Sequence, residues 1–117
     1  MLNNWMEFLK TFRSKAVLLN DANPALVKGY KSLAGGALQG NALDAKTKEL
    51  IALAVAVTTR CDGCISSHVS AAVAAGASRE ELGEALGMAI SLNAGAAYVY
   101  SVRAMEAFDQ FAQADAR

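Results

Sequence analysis

The sequence predicts an all-α fold, a single-domain six-helix bundle, and three features carry that expectation. Helix caps and stops recur along the whole chain, and no stretch alternates with the two-residue period of a strand. Apolar residues make up 54% of the chain, alanine foremost among them, with a single proline. That profile belongs to tightly packed helices.

Each element has its own signal. Trp5, Phe8, Leu9 and Phe12 recur at helical spacing, so residues 4 to about 19 read as an amphipathic helix. Asn23 followed by Pro24 is a cap and a first-turn proline, opening a second helix to about residue 33. Gly35, Gly36 and Gly40 predict an irregular connection. Asp44 caps a third helix, residues 45–59, in which 51–57 is apolar all round and therefore expected to be central. After a short turn at 58–60, a fourth helix runs over about 61–75 and stops at Gly76. Ser78 and Glu81 have capping-box spacing and open a fifth helix to about residue 92. Residues 93–95 are expected to break it. A sixth helix follows over about 96–112, with Val102, Met105 and Phe108 on its buried side.

At 117 residues the chain reads as one domain, residues 1–117, with no linker and no internal repeat. Eleven basic and eleven acidic residues are spread evenly, and no basic stripe exists to follow a phosphate backbone. Nucleic-acid binding is not expected. Residues 1–15 lack the pattern of a signal peptide, and the longest apolar run, residues 50–57, is too short to cross a bilayer. A cytoplasmic location without membrane contact is the expectation. Only 19% of residues are charged, so there is more apolar surface than a small monomer easily hides, and a homo-oligomer is expected.

The chemistry concentrates between Glu49 and His68. Cys61 and Cys64 are the chain's two cysteines and His68 its one histidine. At helical spacing the three fall within about 60° of one another on one face. In a reducing compartment a lone CxxC is more often catalytic or metal-binding than a structural staple. Zinc needs four ligands, and two thiols with one imidazole fall short, so no metal and no cofactor are expected. A helix N-terminus lowers a thiol's pKa, and His68 lies one turn after Cys64 to exchange a proton with it. The helices before and after the short turn should be antiparallel neighbours. Glu49 then lies roughly 15 Å below the turn and His68 roughly 10 Å below it, so the carboxylate is nearer the histidine's level than the thiols'. A relay in the order Glu49, His68, Cys64 follows.

At these residues the chain resembles the alkyl hydroperoxidase D-like branch of the carboxymuconolactone decarboxylase family. Its redox signature is a glutamate, eleven residues, CxxC, three residues and a histidine; Glu49, Cys61, Cys64 and His68 match every spacing. The resemblance spans about 24–108, including KTKELIALAVA and the GAS-REEL helix start. It implies an all-helical bundle assembled as trimers or hexamers. It also implies peroxidase or disulfide-reductase activity on a hydroperoxide or disulfide substrate, with a reducing protein partner to restore the dithiol. By position, the resemblance makes Cys64 the peroxidatic cysteine and Cys61 the proton donor and resolving thiol, with Glu49 and His68 as the proton relay. The chain departs from the best-known peroxidase of the family at Gly63, where that protein has a histidine, and this bears on peroxidase rate more than on the redox role. Two other functions compete: decarboxylation of a lactone acid, as the family name suggests, and a non-enzymatic dithiol adaptor.

Overall fold

The computed structural model describes residues 2–116. The chain forms α1 (Trp5–Lys15), α2 (Val17–Ala22), α3 (Pro24–Ala37), α4 (Ala45–Thr59), α5 (Asp62–Ala74) and α6 (Arg79–Asp115). All regular structure among the described residues is helical.

The caps read from the sequence sit where expected. The Asn23 side chain accepts from the Leu26 amide and the Asp44 carboxylate from the Thr47 amide. Ser78 and Glu81 close a reciprocal capping box, each side chain accepting the other's backbone N–H. These bonds satisfy amides that the first helical turn leaves without a partner. Gly76 ends α5 with φ 85°, and the Ala77 amide reaches back to the Ala72 carbonyl at 2.9 Å.

The division into helices differs from the expected one in three places. The first helix splits at Ala16 into α1 and α2. α3 continues through Gly35 and Gly36, which keep right-handed backbone, and the irregular connection begins only after residue 37. Residues 93–95 do not break the last helix: α6 is one rod of 37 residues. Asn93 explains the last difference. Its amide group donates to the Ala89 carbonyl at 2.7 Å and to Thr58 Oγ1 at 2.9 Å, so the side chain is satisfied inside a helix instead of competing with it.

A compact six-helix bundle does not form within one chain. α4 is central, packing on α5 and on α6, while α1 packs on α5. α2 and α3 meet at Asn23, and among the described residues α3 touches no helix but α2. Leu53 is 1% exposed, and Ala56, Ala72 and Ala89 complete a small core. The expectation that 51–57 is buried all round therefore holds for one face only, because Ile51 and Val55 are exposed. Val102, Met105 and Phe108, expected on a buried face, are also exposed. The cause is geometric: α6 runs straight on for about 55 Å, beyond anything its own chain places beside it. The radius of gyration is 20.1 Å, against about 13 Å for a compact chain of this length.

Candidate active site

The site sits on the turn between the two best-packed helices. α4 ends at Arg60, which has φ 55° and ψ 49°, the left-handed conformation usual for a helix stop but costly for a residue with a side chain. The Cys61 amide then bonds back to the Ala56 carbonyl at 3.1 Å, reversing the chain within two residues. Cys61 thus becomes the cap of α5, one position outside the helix that the sequence placed it in. Its sulfur accepts the Cys64 amide at 3.1 Å.

Cys61 and Cys64 are joined in a disulfide, with Cα atoms 5.2 Å apart. That distance lies in the ordinary range for such a bond, and residues three apart across a helix start reach it without rearrangement. Both cysteines are half-buried. In the reduced form, unpaired amides at the start of α5 favour thiolate over thiol.

One turn further along α5, His68 Nδ1 meets Glu49 Oε2 at 2.6 Å. The two helices run antiparallel, and the carboxylate reaches the histidine although counting from the turn sets their levels about 5 Å apart. Glu49 is 8% exposed, while a third of the His68 side chain reaches solvent. A buried carboxylate needs such a partner. When Nδ1–H is the donor in this contact, the lone pair lies on Nε2, which is the tautomer a proton acceptor requires.

The opposite side of α5 is occupied differently. Trp5, Met6 and Leu9 of α1 and Ile65, Val69 and Val73 of α5 enclose an apolar groove of about 630 Å³. The Phe12 ring lies over Gly63, where an added Cβ would stand 3.8 Å away in ordinary contact. A longer side chain at that position would have to share its space with Phe12. Ser66, buried in the lining of that groove, donates to the Gly63 carbonyl at 3.0 Å.

Lys48 is a residue that sequence reasoning passed over. Its ammonium donates to the carbonyls of Leu38, Gln39 and Gly40 at 3.0, 3.0 and 2.9 Å, tying the connection after α3 to the first turn of α4. No local pattern announces this bond, because its partners are backbone oxygens eight to ten residues away. Among the described residues, no three His, Cys, Asp or Glu side chains converge to hold a metal ion.

Fold and site together define an all-helical dithiol protein whose disulfide lies at a helix start, backed by a histidine–carboxylate pair. The sequence profile of the carboxymuconolactone decarboxylase family matches residues 24–107. An uncharacterised protein of Haemophilus influenzae is 52% identical over 108 residues, spanning 92% of this chain and 96% of its own length. An uncharacterised protein encoded in the cox locus of Paracoccus denitrificans is 37% identical over 89 residues, or 76% of this chain and 80% of that one. The crystal structure of apo-lpg0406, a carboxymuconolactone decarboxylase family protein from Legionella pneumophila, superposes with a TM-score of 0.71 at 41% identity, covering 92% of this chain and 96% of that one. The chain belongs to the carboxymuconolactone decarboxylase family.

Proposed function

We propose that this chain is a thiol oxidoreductase of the alkyl hydroperoxidase D-like kind, which reduces hydroperoxides through the Cys61–Cys64 pair. The observation that carries the reading is the 2.6 Å contact between His68 and the buried Glu49, one turn from a pair of cysteines already joined. A structural disulfide has no use for a polarised imidazole beside it.

His68 Nε2, oriented by Glu49, takes the proton from Cys64, directly or through water. The Cys64 thiolate attacks the terminal oxygen of the hydroperoxide. The O–O bond breaks, the alkoxide leaves as the alcohol by taking back the proton held on His68, and Cys64 becomes a sulfenic acid. Cys61 sulfur then attacks the Cys64 sulfur, forming the disulfide and releasing water. A dithiol reductant, either a protein or a small molecule, returns both thiols and becomes a disulfide itself. A reducing compartment such as the cytoplasm would sustain this cycle.

Decarboxylation of a lactone acid is the alternative that the family name offers, yet a thiol pair has no part in losing CO₂. A non-enzymatic dithiol adaptor would use the same disulfide without consuming peroxide.

Thiol counting tests the reading. Reduced protein should show two free thiols, lose both on one equivalent of an alkyl hydroperoxide, and regain them with a dithiol. Cys64→Ser should abolish peroxide consumption, and Cys61→Ser should halt it after one turnover with a sulfenic acid at Cys64. Wild-type protein that leaves peroxide untouched would sink the peroxidase reading, and CO₂ release from a lactone acid would replace it.

A further inference from the structure

The two sulfurs of the disulfide stand in different surroundings, although both cysteines are half-buried. Cys61 caps α5 from extended backbone, and its sulfur accepts the Cys64 amide at 3.1 Å. The backbone that aims this side chain does not depend on the disulfide. The Cys61 N–H is held by the Ala56 carbonyl at 3.1 Å, and the Cys61 carbonyl by the Ile65 N–H at 2.9 Å. An N–H on a neutral sulfur is a weak bond; on a thiolate it is charge-assisted, and the start of the α5 dipole adds to it. Cys64 lies inside the first turn, with its own N–H aimed at Cys61. Its proton partner is His68, one turn along the helix and held by Glu49 at 2.6 Å.

Access differs as well. Thr58, Thr59, Arg60 and Asp62, around Cys61 at the tip of the α4–α5 turn, are exposed. Gly63 and Ile65, on either side of Cys64, are half-buried: the Phe12 ring covers the first, and the second lines the groove against α1. The tip is open to a large molecule, whereas Cys64 favours a small one.

We propose that the pair divides its work between two partners: Cys64 meets the hydroperoxide, and Cys61 is the sulfur that exchanges with the dithiol reductant. This deepens the thiol oxidoreductase reading and rests on it. One thiolate of the reductant attacks the Cys61 sulfur, and the Cys61–Cys64 bond breaks. Cys64 leaves as a thiolate and takes a proton from the imidazolium form of His68. The reductant's second thiolate then attacks its own sulfur in the mixed disulfide, closing the reductant's ring, and Cys61 leaves as a thiolate held by the Cys64 amide. The reductant loses two electrons and two protons. Both electrons go to the cysteine pair; one proton reaches Cys64 through His68 and the other goes to solvent. A stabilised thiolate is the better leaving group, so a reductant on Cys61 is released and not trapped. The opposite order would seat the reductant on Cys64, between residues that α1 already covers.

The first test needs no substitution. Oxidised full-length protein is mixed with glutathione, a monothiol that cannot close a ring on itself, and quenched early with N-ethylmaleimide. Fragment mass spectra should place glutathione on Cys61 and maleimide on Cys64; the reverse placement would overturn the proposal. A second test uses the reduced single-thiol chains Cys64→Ser and Cys61→Ser, with helicity checked by circular dichroism. At a mildly acidic pH, Cys64→Ser, which keeps Cys61, should react with dithiobis(nitrobenzoate) roughly tenfold faster than Cys61→Ser. Equal rates, or a faster Cys61→Ser chain, would overturn the proposal, and should either variant lose helicity the glutathione placement decides alone. Neither test contains peroxide. Glutathione on Cys61 in a protein that leaves peroxide untouched keeps the exchange and removes the peroxidase reading; glutathione on Cys64 in a protein that consumes peroxide does the reverse.

Discussion

The inner and outer parts of this molecule are built from similar residues and reach opposite ends. In the inner part, α4, α5 and the first half of α6 bury Leu53, Ala56, Ala72 and Ala89 and hold Glu49 against His68. In the outer part, α3 and the second half of α6 carry larger side chains, Tyr30, Tyr98, Met105 and Phe108 among them, and leave them exposed. Hydrophobicity does not separate the two. The inner helices meet because a two-residue reversal at Arg60 and Cys61 forces α4 and α5 together, whereas nothing folds α6 back upon its chain. Small residues pack where helices are forced close, and larger ones stay exposed where no helix of the same chain lies beside them. The candidate active site lies in the part that the chain completes for itself.

The largest expected effect lies at His68. His68→Ala should slow reaction with hydroperoxide by about 10²–10⁴-fold, the usual worth of a general base, with helicity unchanged. Glu49→Gln should slow it less, because the amide still orients the ring, and it should shift the pH–rate profile. Stopped-flow peroxide kinetics on reduced protein decide both, and an unaltered rate in His68→Ala would return that residue to a structural role.

Stability sharpens the contrast. Leu53→Ala should cost about 2–5 kcal/mol, since Leu53 is 1% exposed and its truncation leaves a cavity between α4 and its neighbours. Phe108→Ala should cost no more than about 0.5 kcal/mol, because the ring is exposed. Urea melts read both values. A large loss from Phe108→Ala would mean that the outer half of α6 is covered in solution.

A smaller effect belongs to the caps. Ser78→Ala removes the acceptor for the Glu81 amide and should cost about 1 kcal/mol, lowering the melting temperature without touching the disulfide. The smallest effect is one of pH. Lys46, 2.8 Å away, and the Ser78 amide hold the Glu81 carboxyl below its ordinary range, and the Thr47 hydroxyl and amide do the same for Asp44. A depressed carboxyl adds stability above its unfolded pKa and loses it as pH falls through the folded one. Acidification below the carboxylate range should therefore loosen the starts of α4 and α6, seen as faster amide exchange there. Lys46 is raised by the same partner, so its share is present below the ordinary lysine pKa and lost only as pH rises past the folded value. Salt should diminish both effects, because the groups are exposed.

What the sequence determined by itself was local or periodic. Asn23, Asp44, Ser78 and Gly76 announced helix ends because each bonds or turns within a few residues of itself. Glu49 could be set nearer His68 than the thiols because a short turn leaves two helices one way to lie, and Cys61 beside Cys64 because three residues across a helix start fix their separation. What only the tertiary structure decided depended on partners distant in sequence. Asn93 reads as a breaker until Thr58 accepts its amide, and Lys48 reads as a surface charge until three carbonyls from a distant loop surround it. Val102, Met105 and Phe108 read as core because their spacing marks an apolar ridge, yet they are exposed. The pattern specifies an apolar face and not what lies against it, since the hydrophobic effect has no direction and periodicity names no partner.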